Sequence, residues 1–241
     1  MGADGVAELV EETPERALGV YAHPDDPDVS CGGTLARWSR EGCEVHVLLC
    51  TEGDKGTLDP SVTTAEVAKI RAAEAAEAAA IIGLAGQHHL GHSDGDLVDG
   101  VELRAEIVKW VRRLVPTVVL CPDPTALFFG EDYLNHRDHR VVGACVLDAL
   151  APAAALPHYF PEAGPPHQVK VAYLSGTLDP TVWIDITPTV GEKLSAVACH
   201  RSQFPAGFEW AREALLERAM EEGQRAGVQY AEAFRRLRLG A

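Results

Sequence analysis

The segment His23-Pro24-Asp25-Asp26 carries an imidazole and two carboxylates directly after the apolar run 17–22. Such groups are costly to bury unless they are solvated, hydrogen-bonded or bound to a metal. His23 and Asp26 are three residues apart on a turn, so both can bind one ion, which leaves Asp25 to face a water molecule. The alternative is an ordinary surface turn followed by a helix cap.

A second polar cluster, residues 135–140 (NHRDHR), lies where a helix is expected to begin. His136 and His139 are three residues apart and therefore share one face of a helical turn. One of them can bind a metal while the other faces the substrate, with Asp138 orienting an imidazole. The alternative is a solvated helix start with charge pairs between neighbouring turns.

Together the two clusters offer a His, Asp and His donor set with an open coordination position, which suits catalytic Zn²⁺. Bound Zn²⁺ lowers the pKa of water to about 7 and polarises a carbonyl oxygen. Asp25 would accept the proton as general base, and a protonated His136 would stabilise the oxyanion or protonate the leaving amine. The predicted chemistry is metal-assisted amide hydrolysis. The sequence contains none of the motifs GxGxxG after the first strand, GxxxxGK[ST] or HExxH.

The elements that must position these clusters alternate between strands and helices. Buried strands are predicted at 17–22, 44–50, 88–90 and 117–121, and helices at 33–41, 64–82, 102–114 and 137–150. This order implies right-handed crossovers and an α/β fold with a mainly parallel, Rossmann-like sheet covered by helices on both faces. Open sheets of this kind bind ligands at the carboxyl ends of their strands, where the first cluster lies.

The rest of the chain is interpreted as a late extension of a single α/β domain spanning residues 1–241. After a proline-rich connection at 151–168, strands are predicted at 170–174 and 182–186 and a helix at 189–201, and antiparallel pairing is an option here. Residues 1–16 are predicted to be a flexible N-terminus. Residues 208–241 are predicted to form a polar helical tail.

Composition restricts the classes of function. The chain has 21 basic and 36 acidic residues, a formal net charge of −15, which disfavours a nucleic-acid binder. The sequence has no apolar run of the roughly 18 residues that a membrane span needs, and its acidic start is unlike a signal peptide. We therefore expect a cytoplasmic protein with a small-molecule partner. Its six dispersed cysteines are interpreted as small buried apolar residues.

The first cluster and the following residues 31–35 (CGGTL) resemble the start of the PIG-L/LmbE-like deacetylases. The resemblance spans about residues 17–205 and continues through the motifs at 51–53 (TEG), 71–74 (RAAE), 94–95 (DG), 135–140 and 200–203 (HRSQ). It implies an LmbE-like fold and a zinc-dependent hydrolase that removes the N-acetyl group of an aminosugar conjugate, such as an N-acetylglucosamine derivative. It also implies a homo-oligomer.

The resemblance assigns roles to the residues of the first cluster. His23, Asp26 and His139 match the metal ligands, with Zn²⁺ expected and another divalent ion an alternative. Asp25 matches the general base.

Four further residues receive roles in the same way. His136 matches the residue that faces the tetrahedral intermediate, and Asp138 matches the carboxylate that tunes that histidine. Arg71 and Asp94 fall where related enzymes contact sugar hydroxyls. The alternatives are a helix ion pair between Arg71 and Glu74 and an ordinary Asp-Gly turn at Asp94.

The sequence departs from the family pattern at Pro27, where the family usually has glutamate, and at Ser30, where it usually has glycine. The proline puts support of the metal loop in doubt, and Asp28 is a candidate to replace the missing carboxylate. The competing hypothesis is therefore a non-catalytic α/β ligand-binding or assembly protein with a degraded metal site. A nucleotide-binding enzyme is disfavoured because the glycine fingerprint is missing.

Overall fold

A computed structural model describes residues 7–131 and 133–240. The strands are β1 (Arg16–Tyr21), β2 (Glu44–Thr51), β3 (Gly86–His92), β4 (Val118–Pro122), β5 (Phe128–Phe129), β6 (Tyr133–Leu134), β7 (Val171–Ser175), β8 (Val182–Asp185) and β9 (Ala231–Arg238). The helices are α1 (Asp26–Arg40), α2 (Thr64–Ile82), α3 (Val101–Leu114), α4 (Arg137–Asp148), α5 (Val190–Val197) and α6 (Glu209–Ala226). Short turns of π-helix and 3₁₀-helix interrupt the proline-rich connection at Ala149–Ala153 and Pro161–Ala163.

The main sheet has seven strands in the order β3-β2-β1-β4-β7-β9-β8. The five strands from β3 to β7 in this order are parallel, and β9 is antiparallel to both β7 and β8. The predicted α/β fold with a mainly parallel sheet is therefore confirmed, together with the antiparallel option for the late extension. β5 and β6 form a separate antiparallel hairpin.

The sheet divides the core into two apolar layers, one on each face, because side chains along each buried strand point alternately to the two faces. In β1, Leu18 and Val20 belong to the layer completed by α3 and α4, whereas Ala17 and Tyr21 belong to the layer completed by α1 and α2. Successive side chains of a strand point to opposite faces, so a strand covered on both sides must be apolar throughout. The apolar run 17–22 meets this requirement.

Two glycines let α1 approach the late extension closely. α1 is interrupted at Cys31, whose backbone leaves the helical region (φ −146°, ψ 21°). A Cβ at Gly33 would lie 2.8 Å from side-chain atoms of Ile186, and one at Gly32 would lie 3.4 Å from Lys193. The Gly-Gly pair thus fits the first half of α1 between the sheet and α5.

The predicted helical tail is wrong for residues 231–238, which form β9. Helix α6 ends at Ala226 and is capped by Gly227, which adopts a left-handed conformation (φ 74°). β9 then inserts between β7 and β8, where the ladder hydrogen bonds and the burial of Phe234 offset the polar composition of the segment. Pairing with two neighbouring strands thus outweighs the low intrinsic strand propensity of the segment.

The predicted flexible N-terminus is also wrong in part. Residues 1–6 lie outside the described residues. Glu8 and Val10 exchange backbone hydrogen bonds with Trp183, so this part of the chain is fixed to β8. Within residues 7–131 and 133–240, no helix combines the length and apolar character that crossing a bilayer requires.

Candidate metal centre and active site

The candidate site lies at the carboxyl ends of the parallel strands. His23 follows β1, Asp94 follows β3, and the cluster 135–140 leads from the β5–β6 hairpin into α4. Because parallel strands end at the same edge of a sheet, residues far apart in sequence meet here.

Three donor groups converge at this edge. His23 Nδ1 lies 3.2 Å from His139 Nε2, and each nitrogen has a different oxygen of Asp26 beside it, Oδ2 at 3.3 Å from His23 and Oδ1 at 3.0 Å from His139. Tetrahedral Zn²⁺ with bonds of about 2.0–2.1 Å places neighbouring ligand atoms about 3.3–3.4 Å apart. The spacing of the two imidazole nitrogens is close to that of two ligands on one tetrahedral ion, and an Asp26 oxygen lies beside each of them.

Hydrogen bonds on the far side of each ring orient the two histidines. His23 Nε2 donates to Asp94 Oδ1 at 3.1 Å, and His139 Nδ1 donates to Asn135 Oδ1 at 3.0 Å. Each bond places a proton on the outer nitrogen, so when both rings are neutral their inner nitrogens, 3.2 Å apart, present lone pairs to each other. A positive charge between the rings, a metal ion or a proton, satisfies this arrangement. Histidine ligands of metals commonly have such partners.

Asn135 is a site residue that the sequence interpretation missed. It is 5 % exposed, and its Nδ2 donates to the Ala126 carbonyl at 2.7 Å, which fixes the amide with its oxygen toward His139. The four-residue separation between Asn135 and His139 is the signal that could have revealed it.

His136 and Asp138 lie beside these donors. The backbone N–H of Asp138 donates to His136 Nδ1 at 3.2 Å, which leaves the ring proton on Nε2. The buried Asp138 carboxylate accepts the Gly95 N–H at 2.6 Å and lies 3.7 Å from His23 Nε2, so the imidazole it approaches is that of His23. Two groups of donors lie close enough to hold an ion: His23 with His136 and His139, and His23 with Asp94, His136 and Asp138.

The carboxylates give the site a strong preference for positive charge. Burial opposes protonation of His23, but the neighbouring carboxylates, Asp26 foremost, raise its pKa to about 12. Burial also opposes ionisation of Asp26, but the charges of His139 and His23 hold its pKa well below its usual range. For His136, burial and then the charge of His23 lower the pKa, which favours the neutral ring.

Arg71 holds Asp25 at the edge of the cluster. Its guanidinium donates to Asp25 Oδ1 at 2.7 Å and to the Gly53 carbonyl at 3.0 Å. The alternative ion pair with Glu74 is not formed, because Glu74 accepts hydrogen bonds from Ser202. A Cβ at Gly53 (φ 60°) would lie 2.4 Å from Arg71, so the motif at 51–53 needs glycine in order to seat the arginine.

Pro27 fits the first turn of α1, where its missing N–H is no loss. The carboxylate of Asp28 is buried and lies 2.8 Å from Nε2 of the buried His200. The carboxylate of Asp28, one position after Pro27, therefore links the loop that carries His23 and Asp26 to the turn at 200–203.

Comparison with known proteins places the chain in a family. The family described as "PIG-L: GlcNAc-PI de-N-acetylase" matches residues 18–150. Diacetylchitobiose deacetylase of Thermococcus kodakarensis is 34% identical over 226 residues, which cover 92% of this chain and 82% of the relative. The chain belongs to the PIG-L family. The predicted family and enzyme class, a deacetylase, are confirmed.

Two further comparisons extend over most of this PIG-L family member. The 1D-myo-inositol 2-acetamido-2-deoxy-alpha-D-glucopyranoside deacetylase of Segniliparus rotundus is 32% identical over 228 residues, covering 80% of this chain and 65% of that protein. The solved structure of N,N'-diacetylchitobiose deacetylase from Pyrococcus horikoshii with its inhibitor MPG has a TM-score of 0.86 and 32% identity, and covers 93% of this chain and 84% of that one.

Of the eight residues selected from the sequence, six form one connected group of contacts, and the pair of Asp25 and Arg71 joins that group through the chain at Asp26. The eight are His23, Asp25, Asp26, Arg71, Asp94, His136, Asp138 and His139. Their individual catalytic and binding roles stay predictions.

Proposed function

We propose that this chain is a metal-dependent hydrolase that removes the N-acetyl group from an N-acetylated aminosugar conjugate. The observation that carries the proposal is the approach of His23 Nδ1 to His139 Nε2 at 3.2 Å, with one oxygen of the Asp26 carboxylate beside each nitrogen. The names of the relatives from Thermococcus and Segniliparus support the substrate class, because both describe deacetylases of acetamido sugars.

His23, Asp26 and His139 would hold the ion, and we propose Zn²⁺ because two imidazoles and one carboxylate suit it. When bound, the ion supplies Lewis acidity toward water and toward an amide carbonyl. The two imidazoles would bind it through their inner nitrogens, because the hydrogen bonds to Asp94 and Asn135 engage the outer ones.

Asp25 is proposed as the general base. Arg71 engages Oδ1, which leaves Oδ2 to accept a proton from the attacking water. The oxygen of this water adds to the amide carbon, and the C–N bond then breaks. The nitrogen leaves with the proton that Asp25 accepted, so the products are acetate and a free amine.

His136 is proposed to stabilise the developing oxyanion. Because its Nδ1 accepts the Asp138 N–H, its Nε2–H is free to donate, and its side chain is 42 % exposed. We therefore propose a neutral donor here, in place of the protonated ring expected from the sequence. Asp138 is proposed to favour positive charge beside His23, since its carboxylate lies 3.7 Å from His23 Nε2 and is fixed by the Gly95 N–H.

A cavity of about 310 Å³ beside Asp26 and His139 gives space for the substrate. Phe129 and Tyr133 line it from the β5–β6 hairpin with ring centroids 5.9 Å apart, and aromatic faces of this kind suit sugar rings. Arg71 and Asp94 stay candidates for contacts with sugar hydroxyls through the atoms that Asp25 and His23 leave free.

The net charge of −15 favours a neutral small-molecule conjugate over an anionic one. Assembly into a homo-oligomer and location in the cytoplasm stay predictions. A monomeric mass in light scattering would exclude the homo-oligomer.

Acetate release tests the proposed reaction. Purified protein is incubated with N-acetylglucosamine and with N,N'-diacetylchitobiose, with Zn²⁺ or with a chelator. We expect acetate and free amine in equal amounts, chelator-sensitive and restored by Zn²⁺. Release that the chelator leaves unchanged contradicts the metal-dependent mechanism, and no release from any acetamido sugar favours the binding-protein hypothesis.

A further inference from the structure

A second pair of facing imidazoles lies away from the candidate active site, on the strands β2 and β3. His46 Nδ1 lies 3.2 Å from His88 Nε2, the separation also found between His23 and His139. His46 lies five residues before the end of β2 at Thr51, so about 17 Å of strand separate it from the catalytic edge.

The outer hydrogen bond of His46 repeats the pattern of the candidate metal centre. Its Nε2–H donates a hydrogen bond to Glu44 Oε1 at 3.0 Å. In the neutral ring this leaves a lone pair on Nδ1, which faces His88. The His88 ring stacks on Trp110, with ring centroids 4.1 Å apart. The guanidinium carbon of Arg113 lies over the Trp110 ring, 4.9 Å from its centre. Burial, followed by the charges of His46 and Arg113, lowers the pKa of His88 and favours its neutral form.

Gly86 leaves room at the point where the two nitrogens meet. A Cβ at this position would lie 2.6 Å from His46 Nδ1 and 3.1 Å from His88 Nε2. The space that a side chain would fill is thus adjacent to both donor atoms, as an ion bound between them requires. β3 is an edge strand of the sheet, so two protein ligands leave coordination positions for water.

We propose that His46 and His88 form a second divalent-metal site, which takes Zn²⁺ or another imidazole-binding transition metal and clips the edge strand β3 to β2. Imidazole nitrogen suits zinc, copper and nickel. This site is independent of the proposed deacetylation, and its ion would stabilise the fold by binding only the folded chain.

The test counts zinc ions per chain after equilibration with excess Zn²⁺ and removal of unbound metal. His139→Ala removes a proposed ligand of the active-site ion, so the zinc that remains and is then lost on adding His88→Gln reports the second site. We expect two ions in the unmodified protein, one in His139→Ala and none in the double variant with His88→Gln. His89→Gln is the matched control on the same strand and keeps the ion.

Thermal unfolding of the His139→Ala protein gives a second readout that does not depend on activity. Zn²⁺ should raise its melting temperature, and the addition of His88→Gln should abolish that rise. If the His139→Ala protein binds no zinc, or if His88→Gln leaves both the count and the rise unchanged, the second site is refuted. A wild-type protein that deacetylates with a single ion would overturn this inference and leave the proposed function standing.

Discussion

The replacement Asp25→Asn tests the proposed general base while keeping the shape of the site. The amide still accepts the hydrogen bond from Arg71 but cannot take a proton from water. Loss of a general base typically lowers the rate about 100- to 10,000-fold, which corresponds to roughly 2.7–5.4 kcal/mol of transition-state stabilisation. The Asp25 side chain is 22 % exposed. The lost ion pair therefore costs about 1–2 kcal/mol of folding stability, between the values for surface and buried pairs.

Steady-state deacetylation gives kcat and KM, and elemental analysis gives zinc per chain. We expect kcat to fall, KM to change little and the zinc content to stay unchanged, because Asp25 is not among the three proposed ligands. Asp179→Asn is a matched control, since Asp179 also faces an arginine, Arg235, but is 77 % exposed. Wild-type turnover in Asp25→Asn would refute the base assignment, and loss of zinc would show that Asp25 acts as a ligand.

Three further outcomes follow from individual contacts. Asn135→Ala should weaken zinc binding about 10- to 100-fold, because the ligand histidine loses its orienting partner, and a competition titration with a chromophoric chelator measures this. Gly53→Ala should lower both the melting temperature and the activity more than Gly207→Ala, because both glycines have positive φ but only Gly53 lies against the guanidinium of the buried arginine. Burial raises the pKa of Cys43 to about 11 and of Cys145 to about 12. Native protein at pH 8 should therefore react slowly with Ellman's reagent, whereas rapid reaction of these thiols before denaturation would contradict their burial.

The first cluster was predictable because its chemistry is local. His23 and Asp26 are separated by one turn, and the hydrogen bond from the His23 N–H to Asp26 Oδ2 closes that turn at 2.7 Å. The order of strands and helices placed this turn at the ligand-binding edge of a parallel sheet. Which of the two histidines in 135–140 approaches it depends on how α4 packs, and only the family resemblance selected His139 in advance.

The features that the sequence did not reveal depend on partners distant in the chain. The segment of β9 is rich in arginine and follows a helix, so nothing local marks it as a strand until β7 and β8 flank it. The contact between Asp28 and His200 spans 172 residues. Arg71 has a possible partner three residues away in Glu74, yet folding directs it to Asp25.

The most direct test of the central claim is the number of zinc ions bound tightly by tag-free protein purified without chelator, compared with the His139→Ala variant. If His23, Asp26 and His139 form the metal centre, His139→Ala will contain one tightly bound ion fewer per chain and will release no acetate. The same zinc content in both proteins would contradict the assignment of His139. Little zinc in the unmodified protein, even after Zn²⁺ is supplied, would mean that the loop containing Pro27 does not bind metal.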